Sequence, residues 1–296
     1  MFGMSWSEGP LPRRTAHEQL AFLAKGNKRL VFTEENFVET LSDKDGRVSL
    51  PIYPSAIDRV TELVAAWAPI KPQLFLAVRN PATFLASAYS QVLFGSVYIE
   101  PLKYRARNDW RKIDWAVYIA KLRTITGISD IYVWRQEDYD LTHRLILRRM
   151  LHWQAGGKIE TIKSRVHQSL SAPAVRQTLA WAQDGETGQL AAKLRKLFPI
   201  NADNKPFELH TTETLVRAGA VYDAQMAQIK VMDGVTVLQP PKPKQEGLKS
   251  LSKTVTYTAF PVPKDRSWPE PTQYNLSSKS VLKSARSFGR RAVRSH

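Results

Sequence analysis

Short apolar runs alternate with longer amphipathic stretches between residues 13 and 239. The short runs predict β-strands because they are rich in β-branched and aromatic residues and end on polar side chains. They are residues 29–36 (RLVFTEEN), 73–80 (QLFLAVRN), 130–137 (DIYVWRQE) and 235–239. The amphipathic stretches predict helices at residues 55–67, 81–94, 114–126, 142–152, 172–183, 188–198 and 211–230.

Strands that alternate with helices are typical of an α/β fold with a parallel sheet. We expect residues 73–79 to form the central strand, buried on both faces. Residues 29–34 and 130–134 are expected to lie parallel to it in the same sheet.

The composition changes after residue 239, which divides the chain into a predicted α/β domain (1–239) and a basic tail (240–296). The tail carries twelve lysine and arginine residues against three acidic ones, within a chain of net charge +16. Its low apolar content predicts a disordered segment that is removable without loss of the fold. Two interpretations stay open: a solvated tail without function, or a tether to an anionic membrane surface or another polyanion. The last twenty residues can form a basic amphipathic helix, which favours a membrane surface over specific nucleic-acid binding.

The cysteine and histidine content limits the kinds of catalytic and metal site that the chain can form. The chain has no cysteine, which excludes disulfides and thiolate catalysis, and its six histidines show no close metal-ligand spacing. We therefore expect no metal cofactor. No apolar run is long enough to cross a bilayer, and no charged segment followed by an apolar run opens the sequence. These patterns predict a cytoplasmic protein, with peripheral membrane contact through the tail as an option.

One strand end has the features of an anion site. Arg79 ends an apolar run, Asn80 is a good helix N-cap, and Pro81 suits the first position of a helix. Ligands of open α/β sheets gather beyond the strand ends, and a helix N-terminus favours negative charge. Ser87 lies at the margin of the predicted apolar stripe of this helix. The alternative is an arginine paired with a surface acid and a serine without a role.

The segment VRNPATFLASAY resembles the 3′-phosphate-binding segment of sulfotransferases that use 3′-phosphoadenosine 5′-phosphosulfate (PAPS). In that family an Arg-x-Pro at a strand end is followed, eight residues after the arginine, by a serine, and both bind the 3′-phosphate. The resemblance implies that Arg79 and Ser87 bind this group. Weaker similarities extend over residues 29–239. They imply a three-layer, P-loop-NTPase-like parallel sheet flanked by helices.

The sequence departs from the family at one important point. Sulfotransferases hold the 5′-phosphosulfate with a Lys-Thr-Gly-Thr-Thr loop after their first strand, and nothing here matches it. Neither Gly26-Asn27-Lys28 nor the glycines at 156–157 and 185–188 have the right context. The resemblance therefore implies a domain without its first strand and transfer loop. We expect an open edge or gap in the sheet, which residues 1–12 are too polar and glycine-rich to fill.

The resemblance implies a sulfotransferase-like protein that moves a sulfuryl group from PAPS to a hydroxyl acceptor, whether carbohydrate, lipid or small molecule. Glu34 or Glu35 is the candidate base, because a carboxylate at that strand end would face the crevice. The alternative for both is an acidic loop start without chemistry. Because the transfer loop is absent, the chain is expected to be inactive as given, and whether it is an enzyme stays open. The other function is a non-catalytic protein that binds the nucleotide, or a polyanion through its basic tail.

Overall fold

The computed structural model describes residues 2–6, 12–27, 29–33, 37–161 and 169–241. They form an α/β structure with a parallel sheet flanked by helices, as predicted. The chain divides into two units, Met1–Pro241 and Lys242–His296. The second unit lies outside the described residues, as do the predictions made for the tail.

The sheet has three strands within the described residues: β1 (Leu74–Val78), β2 (Ile131–Arg135) and β3 (Val235–Val237). Their order is β1-β2-β3, and both pairs are parallel. The expectation that β1 is central was wrong, since β2 holds that position and four of its five residues are buried. β1 lies at an edge and is mostly half-buried.

The strand predicted at residues 29–36 was also wrong for its described part. Residues 29–33 have no regular secondary structure and pair with no strand in the described chain. Residues 34–36 lie outside the described residues. Strand propensity measures how well a residue fits a pleated, half-buried surface, so it does not by itself supply the neighbour that a strand needs.

The described helices agree closely with the amphipathic pattern. Residues 81–94 and 172–183 form helices with the predicted bounds, and the other predicted helices are displaced by up to three residues at their ends. Three short helices were not predicted: Ala16–Ala24, Pro101–Arg107 and Trp153–Lys158. The helices are α1 (Ala16–Ala24), α2 (Ala56–Trp67), α3 (Pro81–Phe94), α4 (Pro101–Arg107), α5 (Trp115–Arg123), α6 (Tyr139–Leu151), α7 (Trp153–Lys158), α8 (Ala172–Gln183), α9 (Leu190–Leu197) and α10 (Thr212–Lys230).

Local capping explains where α1 begins. The Thr15 hydroxyl accepts a hydrogen bond from the backbone N–H of Glu18, and the Glu18 carboxylate accepts one from the backbone N–H of Thr15. This reciprocal pair satisfies two backbone donors that a helix start leaves open. The Thr-x-x-Glu spacing was readable in the sequence.

The described residues at the start of the chain, 2–6, pack against α2 through apolar side chains. Phe2 and Met4 are buried in a cluster with Leu63 and Trp67 of α2. Phe32 joins them, with its ring centroid 5.4 Å from that of Trp67. These contacts pack residues 2–6 against α2. The prediction was that residues 1–12 do not fill a gap in the sheet, and residues 2–6 pair with none of its strands.

We expect Ile131→Ala to lower the free energy of unfolding by about 2–5 kcal/mol, because it empties a site in the middle of the sheet. Ile131 is 0% exposed in the central strand. The matched control is Val216→Ala on α10, where the side chain is 69% exposed and the change should stay within about 0.5 kcal/mol. Urea denaturation measures both, and equal effects would contradict the central position of β2.

The buried side chain of His210 makes the free energy of unfolding depend on pH. Burial, with a smaller effect from the positive charge of Arg105, lowers the pKa of His210 below the ordinary value of 6.5. The folded state then binds fewer protons than the unfolded state, so the free energy of unfolding falls as the pH drops below about 6.5. His210→Gln should reduce this loss between pH 7 and 5.5 in a urea denaturation assay, and a variant with the wild-type pH profile would contradict this role of His210.

Candidate functional site

The candidate site lies at the carboxyl ends of β1 and β2. The parallel register sets Val78 opposite Arg135, so the residues that follow the two strands share one edge of the sheet. Arg79 and Asn80 leave β1 there, and Glu137 leaves β2. This edge is where open α/β sheets place their ligands.

The turn from β1 into α3 has the predicted capping. The Asn80 side chain accepts a hydrogen bond from the backbone N–H of Ala82 at 3.0 Å, and Pro81 is the first helical residue. Pro81 has no N–H, and the Phe84 N–H donates to the Asn80 carbonyl at 2.8 Å, so Asn80 caps the start of α3 with both its side chain and its backbone.

The Arg79 side chain is half-buried and turns toward α3. Its Nε donates to the hydroxyl of Thr83 at 3.1 Å. Its backbone carbonyl accepts a hydrogen bond from Trp115 Nε1 at 2.7 Å. The side chain is thereby held by a contact to α3, and the backbone carbonyl by a contact to α5.

Ser87 follows Thr83 by one helical turn, so the two hydroxyl-bearing side chains share a face of α3. The rise between them is about 6 Å. Ser87 is half-buried. Arg79, Thr83 and Ser87 therefore form a row of polar groups that starts at the strand end. The sequence pattern identified the first and last of these, and Thr83 was missed although its i+4 spacing from the arginine was visible.

Glu137 connects the two strand ends, as an anchoring carboxylate would. Its Oε1 accepts from the backbone N–H of Asn80 at 2.8 Å, and its Oε2 lies 3.3 Å from the hydroxyl of Tyr222. That hydroxyl also lies 3.0 Å from the carbonyl oxygen of Val78. Burial, reinforced by the negative charge of Glu137, raises the pKa of Tyr222, so the phenol is protonated at neutral pH and donates.

A second arginine lies at the same edge of the sheet. Arg135 Nη1 is 2.7 Å from Asp223 Oδ1 on α10, and the guanidinium lies 4.7 Å from the ring centroid of Tyr222. Its charge is therefore already compensated by a carboxylate. Tyr222 and Asp223 were not singled out in the sequence, because their contacts join residues far apart along the chain.

The two candidate bases, Glu34 and Glu35, lie outside the described residues. Two of the other glycine segments lie next to helices. Gly26 follows the end of α1, and a Cβ at Gly156 would overlap the Leu147 carbonyl oxygen, so that glycine permits close packing of α7 against α6.

A cavity of about 1100 Å³ runs beside β1, along the side of this strand that faces away from β2. All five β1 residues line it. Its other walls are mostly apolar side chains from α1, α2 and α5 and from residues 29–33. It also reaches Phe84 and Trp115, which pack edge to face next to the Arg79 turn.

No group of three or more potential metal ligands occurs among the residues that the structure describes. In the same part of the chain, no helix is both long and apolar enough to cross a membrane. No protein-family model, no curated protein and no solved structure matches this chain. The residues at the strand ends are therefore the features that indicate a function.

We expect Tyr222→Phe to lower the free energy of unfolding by about 1 kcal/mol, because it removes the donor shared by Val78 and Glu137. Tyr139→Phe is the matched control, since Tyr139 is 41% exposed and the same change there should stay within about 0.5 kcal/mol. Urea denaturation decides between them. A Tyr222 variant as stable as the wild type would show that the bridge contributes nothing to joining the strand ends.

Proposed function

We propose that this chain is a sulfotransferase-like protein that binds PAPS, or its desulfated product 3′-phosphoadenosine 5′-phosphate (PAP), at the end of β1. The observation that carries the proposal is the position of Arg79. It lies directly before the capped N-terminus of α3, and its guanidinium is directed along the helix face that bears Thr83 and Ser87.

The chemistry of this arrangement suits a phosphate. A guanidinium offers several donors in a planar fork, and a helix N-terminus adds partial positive charge. The Ser87 hydroxyl adds a neutral donor on the same side. The Thr83 hydroxyl already donates to the Asn80 carbonyl at 3.1 Å, and it orients the guanidinium by accepting from Arg79 Nε. The contact of Trp115 with the Arg79 carbonyl fixes the backbone, which reduces the entropy lost when a ligand is bound.

The proposal divides the work between binding and transfer. Arg79 and Ser87 would hold the 3′-phosphate, with Thr83 orienting the guanidinium, and the bound donor would supply the activated sulfuryl group. Sulfuryl transfer also needs a cation at the leaving phosphate and a base for the acceptor hydroxyl. Glu34 or Glu35 is the proposed base, and a P-loop-like architecture of the unit belongs to the same proposal.

Titration calorimetry with PAP and AMP tests the site, because AMP lacks the 3′-phosphate. The wild type should bind PAP more tightly than AMP. Arg79→Ala should weaken PAP binding about ten- to a hundredfold, since charge-assisted contacts contribute roughly 1.5–3 kcal/mol. Arg79→Lys should recover only part of this, because an ammonium lacks the planar fork. Ser87→Ala should cost less than Arg79→Ala.

The matched control is Arg176→Ala, which removes the same charge from an exposed position on α8. It should leave PAP binding unchanged. Equal affinity of the wild type for PAP and AMP, or equal effects of the two arginine variants, would mean that Arg79 is structural and that the proposed site is wrong.

A further inference from the structure

The outer edge of β1 presents backbone groups that pair with no other strand in the described part of the chain. In a parallel ladder, alternate residues point their N–H and C=O groups to opposite sides of a strand. The N–H of Leu74 donates to the Asp130 carbonyl at 2.9 Å, so Leu74, and with it every second residue, faces β2. The N–H and C=O groups of Phe75 and Ala77 therefore face away from the sheet, and Ala77 is exposed.

These groups open into the cavity of about 1100 Å³ described above, which all five β1 residues line. Protein interiors are close-packed and leave few voids larger than a water molecule. Backbone donors and acceptors inside an apolar space also cost free energy unless they find partners. A space of this size along a complete strand is therefore suited to an occupant that brings its own hydrogen-bonding groups.

A second strand-like segment lines the same cavity. Residues 29–33 read RLVFT, which has the composition of a β-strand, and Leu30, Val31 and Phe32 all border the space. Phe32 is held in place by its packing on Trp67. No backbone hydrogen bond joins residues 29–33 to β1 among the described residues. β1 and a second segment of strand-like composition thus border one space without pairing with each other.

The charged side chains that line the cavity in the described chain are positive. Its charged lining residues, within the described chain, are Arg29, Lys71 and the titratable His17, and none is acidic. Lys71 is exposed and lies three residues before β1, at the amino end of the strand. This charge is complementary to a carboxylate-bearing occupant.

We propose that the cavity beside β1 accepts an extended segment of another polypeptide, by addition of a strand to the open edge. The segment pairs its main chain with Phe75 and Ala77, is apolar in its middle, and carries acidic residues at the end near Lys71. Strand addition of this kind draws affinity from main-chain hydrogen bonds and specificity from alternate side chains. An anionic amphiphile would match the charge and the apolar walls but would leave the β1 backbone groups without partners.

The test uses the full chain and a blocked peptide, DEVIVIVG, whose acidic end lies beside Lys71 when it pairs parallel to β1. Fluorescence anisotropy measures binding, and hydrogen exchange measures the β1 amides. We expect saturable binding and slower exchange of the Phe75 and Ala77 amides. A peptide with two lysines in place of its two acidic residues should bind about tenfold more weakly.

Two N-methylated forms of the peptide, one modified at its odd and one at its even positions, isolate the main-chain contribution. At least one should bind about tenfold more weakly or not at all, because its donors toward β1 are removed. On the protein, Ala77→Pro removes the donor that faces the cavity, whereas Ala77→Val retains it. Proline is tolerated at an edge position whose N–H faces outward, and circular dichroism confirms that each variant is folded.

Equal binding of the parent and both methylated peptides would overturn the proposal, even if the Ala77→Pro variant failed to fold. So would the absence of peptide binding at millimolar concentration, or saturable binding of oleate without any binding of the peptide. The last result would assign the cavity to an amphiphile. None of these readouts uses nucleotide, so this inference and the proposed PAP site fail independently.

Discussion

The parallel pairing of β1 with β2 is the constraint on which both the site and the open edge depend. Its register sets Val78 opposite Arg135, which brings the Arg79 turn and Glu137 to the same end of the sheet. The same register directs the backbone groups of Phe75 and Ala77 outward, because alternate residues of a parallel strand face opposite sides. The pairing of β1 with β2 therefore positions Arg79 at the end of β1 and leaves the other side of β1 as an edge of the sheet.

Contacts between distant parts of the chain stabilise this arrangement. The Tyr222 hydroxyl on α10 bridges the end of β1 and the Glu137 carboxylate, and Trp115 on α5 holds the Arg79 carbonyl. Gln225 joins α10 to the start of α5 by accepting from the Trp115 backbone N–H. The strand end is thus held on two sides by helices that pack on each other, which leaves little freedom for the residues between them.

The sequence predicted what local chemistry determines. The bounds of α3 follow from Asn80 and Pro81, whose capping and fixed backbone angle act within a few residues. Sheet position is different, because it depends on which segments meet in space. The apolar run of β1 indicated a strand buried on both faces, yet its outer side borders a cavity. Residues 29–33 have strand composition without a pairing partner. Tyr222 and Trp115 could not be identified as partners of the site from spacing alone.

β1 is shared by the two proposed binding events, which gives a physical reason for them to influence each other. An added strand paired with Phe75 and Ala77 would restrict the motion of β1. Arg79 is the residue that directly follows β1. Restricting a site before its ligand arrives lowers the entropy cost of binding, so positive coupling arises without any change in average structure. Such coupling is reciprocal, and a nucleotide held at Arg79 would equally favour strand addition. Because the β1 edge and the Arg79 turn use different atoms of one strand, the effect would pass through the backbone itself and require no rearrangement of the helices.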